Sequence, residues 1–125
     1  MYKWFWMYFI FAALLTACAT APNISPSSTL TPLQAQGAKA FTFHCAACHA
    51  IVPDTVVVGP SLTGIATRAI TRVDGQSAQD YLTMSILKPD AYIVEGFPNS
   101  MPNNFGKRLS GEDVEAVIAY LLTLE

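Results

Sequence analysis

The run Cys45-Ala46-Ala47-Cys48-His49 has the clearest chemistry in the chain. It sets two thiols three positions apart with an imidazole directly after the second, the C-x-x-C-H pattern by which a polypeptide carries haem through two thioether bonds. Each thiol must add to a vinyl group on one side of the porphyrin, and the imidazole must lie under the iron. On a helix, positions 45 and 49 share a face, and 48 sits one turn from 45. Ala46 and Ala47 are small, so a ring can approach the backbone. Three other uses of the thiols compete. A thioredoxin-like C-x-x-C needs a βαβ setting, and no such pattern is present. A zinc site could take His44, Cys45, Cys48 and His49, but structural zinc sites draw their ligand pairs from two segments. A structural disulfide suits an oxidising compartment but leaves His49 without a role. One covalent haem c, with His49 as an axial ligand of its iron, accounts for all three residues.

The second axial ligand has three candidates: His44, Met84 and Met101. His44 adjoins Cys45 on one helix and cannot reach the opposite face of a ring. Met84 falls in the middle of a helical pattern, where methionine is commonly filler. Met101 lies in the loop Ser100-Met101-Pro102, which can swing a thioether across, with Pro102 stiffening it. Met101 is therefore the expected ligand. His/Met ligation raises the reduction potential and leaves no open position on the iron, which points to electron transfer rather than catalysis.

These side chains must be carried by helices. Thr31 can cap a helix that opens at Pro32, and Leu33, Gly37, Ala40, Phe41 and His44 recur at helical spacing, predicting a helix over about 32–48. A short helical turn is expected within 61–68 and a helix over 77–87, stopped by Pro89. Pro89 can open a short helix, 90–95, that ends at Gly96. Residues 97–109, rich in Pro, Asn and Gly, are expected to be loop. Ser110 and Asp113 form a [ST]-x-x-[DE] capping signal, followed by the apolar stripe Val114, Val117, Ile118 and Leu121 of a helix reaching about Leu124. No strand pattern is convincing; Val56, Val57 and Val58 alone do not make a sheet. The expected fold class is all-α, with four to five short helices. Its core is too thin to stand without something in the middle.

The chain has 125 residues, 52% apolar and 13% charged, with net charge −2. That excludes a disordered chain, and the lack of a basic block excludes a nucleic-acid partner. Residues 4–15 are a continuous apolar run behind Lys3, followed by Leu15-Thr16-Ala17-Cys18. The run has the length of a signal-peptide core and is short for a membrane span. The expected organisation is residues 1–17 as a signal peptide or a retained membrane anchor, 18–31 as a Ser/Thr/Pro tether, and 32–125 as the folded domain. Leu15-Thr16-Ala17-Cys18 resembles the lipobox of bacterial lipoproteins, which implies lipidation of Cys18. Either fate of the run exports the domain and ties it to a membrane.

Residues 33–125 resemble class I cytochrome c. The matching pieces are Gly37 and Phe41, Cys45-Ala46-Ala47-Cys48-His49, Gly59-Pro60-Ser61-Leu62, Met101-Pro102, and Tyr120. The resemblance implies the cytochrome c fold, with the first and last helices crossing at Gly37 and with Phe41 and Tyr120 packed around it. It implies that the Pro60 carbonyl accepts a hydrogen bond from His49, a contact of the kind that orients an axial ligand, and that Leu62 packs on the haem. Ile93 and Phe105 are also expected to contact the ring, and Arg68 either pairs with a haem propionate or stays solvated. A narrower resemblance rests on Tyr81-Leu82, Ser85-Ile86-Leu87, Pro89-Asp90-Ala91-Tyr92-Ile93-Val94 and Gly96-Phe97-Pro98. These are similar to the cytochrome c domain fused to subunit II of some cytochrome oxidases, and to the mono-haem lipoprotein subunit of alternative complex III. No cupredoxin domain precedes the motif here, which favours a separate tethered subunit. The partners so implied are redox proteins, among them other subunits of a membrane electron-transfer complex, on the outer face of the bacterial cytoplasmic membrane. Ala46, Ala47, Ile51, Val52, Pro53, Val56, Val57 and Val58 would form either the docking face or ordinary core.

Overall fold

The computed structural model describes residues 29–125. The apolar run, Cys18 and nearly all of the tether lie outside the described residues.

Among the described residues the chain forms five α-helices and two 3₁₀ turns, with no strand. In order they are α1 (Pro32–His44), α2 (Ile65–Arg68) with a 3₁₀ turn at Ala69–Thr71, α3 (Ala78–Leu87), a second 3₁₀ turn at Pro89–Ala91, α4 (Phe105–Arg108) and α5 (Gly111–Leu121). None of these helices is long and apolar enough to cross a membrane.

α1 starts where its cap dictates. Thr31 accepts from Gln34 N–H through its hydroxyl, and Gln34 returns a bond to Thr31 N–H at 2.8 Å. Two of the orphan donors at a helix start are thereby satisfied. α5 repeats the device with Ser110 and Asp113. Its apolar stripe (Val114, Val117, Ile118 and Leu121) is buried, and Ala116 and Val117 are fully inaccessible.

α1 and α5 pack directly on each other. A Cβ built on Gly37 would collide with the Ala116 carbonyl oxygen and stand 2.9 Å from Tyr120 Cβ. Only glycine lets the two backbones approach this closely. Phe41 and Tyr120 flank the crossing with ring centroids 5.7 Å apart. α3 contributes Tyr81, Leu82 and Ile86 to the core and packs on α5, α4 and the α2 region.

Four expected boundaries change, each for a tertiary reason. The first helix stops at His44 rather than near 48. Cys45 leaves helical geometry at φ −121°, ψ −34°, and the Phe41 carbonyl accepts from both Cys45 N and Ala46 N. Residues 45–49 then form a separate turn in which the Cys45 carbonyl accepts from Cys48 N at 3.0 Å and His49 N at 2.9 Å. The expected helix over 90–95 is only the 3₁₀ turn Pro89–Ala91, because Tyr92 turns extended and sets its ring edge-on against Tyr81 at 5.8 Å. The expected loop over 97–109 contains α4, which forms because Phe105 and Leu109, one turn apart, are both buried. The last helix ends at Leu121; the Leu124 carbonyl instead accepts from Ala66 N at 3.1 Å, tying the C-terminal turn to α2.

Candidate haem site

The turn at 45–49 forms one wall of an open cleft of about 380 Å³. Cys45 and Cys48 are half-buried and not joined by a disulfide. Burial, reinforced by the neighbouring Cys48, pushes the Cys45 thiol up to about 11. Redox-active C-x-x-C pairs do the opposite and hold a lowered thiol pKa; Cys45 moves away from that chemistry. The zinc alternative also fails on geometry, since no three His, Cys, Asp or Glu side chains converge among the described residues.

His49 is fixed by a loop that arrives from outside the motif. The Cys48 carbonyl accepts from Val58 N at 3.2 Å and Gly59 N at 2.9 Å, and the Ala50 carbonyl from Leu62 N at 2.7 Å. These bonds clamp residues 58–62 against the turn. His49 Nδ1 then lies 2.9 Å from the Pro60 carbonyl oxygen. A carbonyl only accepts, so the ring proton sits on Nδ1 and the lone pair on Nε2. That is the tautomer a metal-binding imidazole needs. Gly59 packs against the same ring. A Cβ there would strike His49 Cε1 and come within 2.9 Å of Nδ1. Gly59 was visible in the sequence only as the residue before Pro60; its cradling role appears only when the imidazole is in place.

The other expected residues fall unevenly. Met101, half-buried in the 98–104 loop, lines the cleft from a segment remote from His49. Met84 does not line it, and His44 does so only beside Cys45, with a buried Nδ1 that has no partner. Leu62 and Phe105 supply apolar wall, Phe105 as part of the core and Ile93 at a half-exposed rim. Arg68 is not a free solvated cation. Its guanidinium donates to the carbonyls of Thr63 and Ser61, the latter at 2.7 Å, and so braces the loop that holds His49. The structure adds Tyr81, Tyr92 and Arg72 to the lining. Ile51, Val52 and Val56 to Val58 are all exposed, so the option of ordinary core is wrong for them.

This arrangement fits haem c. It has two unpaired thiols at one edge, an imidazole with its lone pair on Nε2, a thioether on another wall, and glycine where the ring meets backbone. The charged lining is three arginines with no carboxylate, suited to a cofactor with anionic edges. No curated protein matches the sequence significantly. A family model for cytochrome c matches residues 34–125. That match spans most of the chain and the whole of the cleft, so the chain belongs to the cytochrome c family of electron-transferring haem proteins, with covalently bound haem c as its cofactor.

Proposed function

We propose that this cytochrome c is a membrane-tethered, mono-haem electron carrier in which His49 and Met101 are the axial ligands and Cys45 and Cys48 the thioether anchors. Haem c, when bound, supplies a one-electron Fe(III)/Fe(II) couple. The carrying observation is the Pro60–His49 hydrogen bond in a cleft that Met101 also lines. The Pro60 carbonyl holds the imidazole in its ligating tautomer. Met101, on its Pro102-stiffened loop, would supply the second protein ligand to the iron and leave no position open to substrates or diatomic ligands. Leu62 and Phe105 give the cleft an apolar wall and its arginines give it positive charge, both of which favour the reduced state.

Electrons enter and leave where the exposed stretch of Ile51, Val52 and Val56 to Val58 meets the cleft at Val58. Asp54 is the one charge in this exposed apolar stretch. A mainly apolar face with a single charge suits contact with other redox subunits. The apolar run at 4–15 and the cysteine at 18 support attachment at the outer face of a bacterial cytoplasmic membrane, as a lipoprotein. The similarity over residues 81–98 supports membership of a quinol-oxidising complex such as alternative complex III.

The ligand assignment is tested with carbon monoxide. The reduced wild-type protein is expected to resist it, whereas Met101→Ala binds it readily and has a lower midpoint potential. A wild type that binds as readily as the variant removes Met101 from the iron. The tether is tested by intact mass: the mature protein is expected to begin at a lipid-modified Cys18, and an unmodified Met1 would refute lipidation.

A further inference from the structure

We propose that Ser61 is a positioning residue for the axial imidazole, its hydroxyl fixing the peptide unit whose carbonyl, that of Pro60, orients His49. The inference rests on the reading of His49 as an iron ligand, and it gives a role to a residue that had entered only as part of Gly59-Pro60-Ser61-Leu62. A peptide plane carries the carbonyl of one residue and the nitrogen of the next. The Pro60 carbonyl therefore turns with the unit that joins Pro60 to Ser61. Its aim at His49 Nδ1, 2.9 Å away, depends on where Ser61 is held. Pro60 has no N–H and cannot anchor the unit from its own side.

Ser61 is anchored through both its side chain and its backbone. Its hydroxyl donates to the Val52 carbonyl at 2.9 Å, across the loop that leaves the C-x-x-C-H turn and returns to it. A hydroxyl has one proton and two lone pairs. With the proton on Val52, the same oxygen accepts from Thr63 N–H at 3.2 Å and lies 3.2 Å from the Thr63 hydroxyl. The Ser61 carbonyl accepts from Arg68 at 2.7 Å. Val52 precedes Pro53, which narrows its backbone freedom, so the hydroxyl is pinned to a stiff acceptor. The neighbouring links across the loop, from Val58 and Gly59 N–H to the Cys48 carbonyl and from Leu62 N–H to the Ala50 carbonyl, are backbone to backbone. The Ser61–Val52 link is made by a side chain, so a substitution removes it and leaves the others standing.

The test compares the wild-type holoprotein with Ser61→Ala, Ser61→Thr and Ser110→Ala. Ser61→Ala keeps both Arg68 bonds to backbone carbonyls and keeps Gly59 against the ring, so it loosens the Pro60 carbonyl without displacing the imidazole. A weaker Nδ1–H bond leaves the imidazole less basic, and so a poorer donor to Fe(III). Ser61→Ala is expected to shift the redox equilibrium about threefold toward the reduced state, the scale of one net hydrogen bond. In ¹⁵N-labelled, reduced protein it should also speed solvent exchange of the His49 Nδ1–H by a similar factor. Ser61→Thr keeps the hydroxyl and should restore both values. Ser110→Ala removes a helix cap that does not line the cleft and should move neither. If Ser61→Ala retains no haem, Ser61→Thr and Ser61→Val, alike in shape, make the same comparison. Wild-type exchange and potential in the variant lacking the hydroxyl, or equal changes in Ser110→Ala, overturn the assignment and leave the cytochrome reading intact. A denatured wild type lacking covalently attached haem would overturn both.

Discussion

At the scale of single residues, His49 shows how little of a ligand's behaviour resides in the ligand. Its tautomer is set by the Pro60 carbonyl, and its ring plane by the backbone of Gly59. Both act through contact with the ring rather than with iron. Gly59→Ala is expected to push the imidazole off the Pro60 carbonyl, because the new methyl would overlap Cε1. The change should lower haem retention and the midpoint potential together, since a displaced ligand binds iron less well. Redox titration and haem content per polypeptide measure both; wild-type values for each would show that the ring can yield without cost. Cys45 makes a similar point about thiols. The same C-x-x-C spacing serves disulfide chemistry elsewhere, but burial drives this thiol up to about 11 instead of down.

At the scale of elements, capping explains where the two crossing helices begin. In α5 the Asp113 carboxyl is held below its ordinary 3.8, first by the Ser110 hydroxyl at 2.7 Å and next by Gln36 of α1 at 3.4 Å. A lowered folded-state value contributes stability that is present above the unfolded value and is lost as pH falls through the folded one. The thermal stability gap between wild type and Asp113→Asn should therefore be widest near neutrality and close below about pH 3.8. Melting curves at both pH values check this, and a gap that stays constant would mean the carboxylate charge plays no part. Ser110→Ala removes the cap acceptor itself and should cost about 1 kcal/mol at neutral pH.

For the whole molecule, the decisive contact joins residues some eighty positions apart. α1 and α5 meet where Gly37 faces the Ala116 carbonyl, and Phe41 and Tyr120 close over the junction. A methyl at position 37 has nowhere to go, because what it meets is backbone. Gly37→Ala is expected to destabilise the holoprotein by about 2 kcal/mol or more, the usual scale of overpacking a tight core. The effect would appear as a lower denaturation midpoint in urea with an unchanged slope. An unaltered midpoint would mean that the crossing relaxes freely. The core around this junction is small, consisting largely of Phe41, Tyr81, Leu82, Ile86, Phe105, Val117 and Leu121. It borders the cleft rather than filling it, as expected of a domain whose centre is a cofactor.

Local patterns announced the haem motif, the all-α class, the two capped helices and the loop origin of Met101, because each depends on residues within a turn or two of one another. C-x-x-C-H, Thr31-Pro32 and Ser110-x-x-Asp113 carry their own geometry. Contacts between distant segments decided the rest. The motif breaks away from α1 because the Cys48 carbonyl is claimed by the 58–62 loop, and α4 forms because the core captures Phe105 and Leu109. Gly59 entered the sequence reading only as part of Gly59-Pro60-Ser61-Leu62. It matters through the imidazole it touches, a contact that does not exist until the chain has folded.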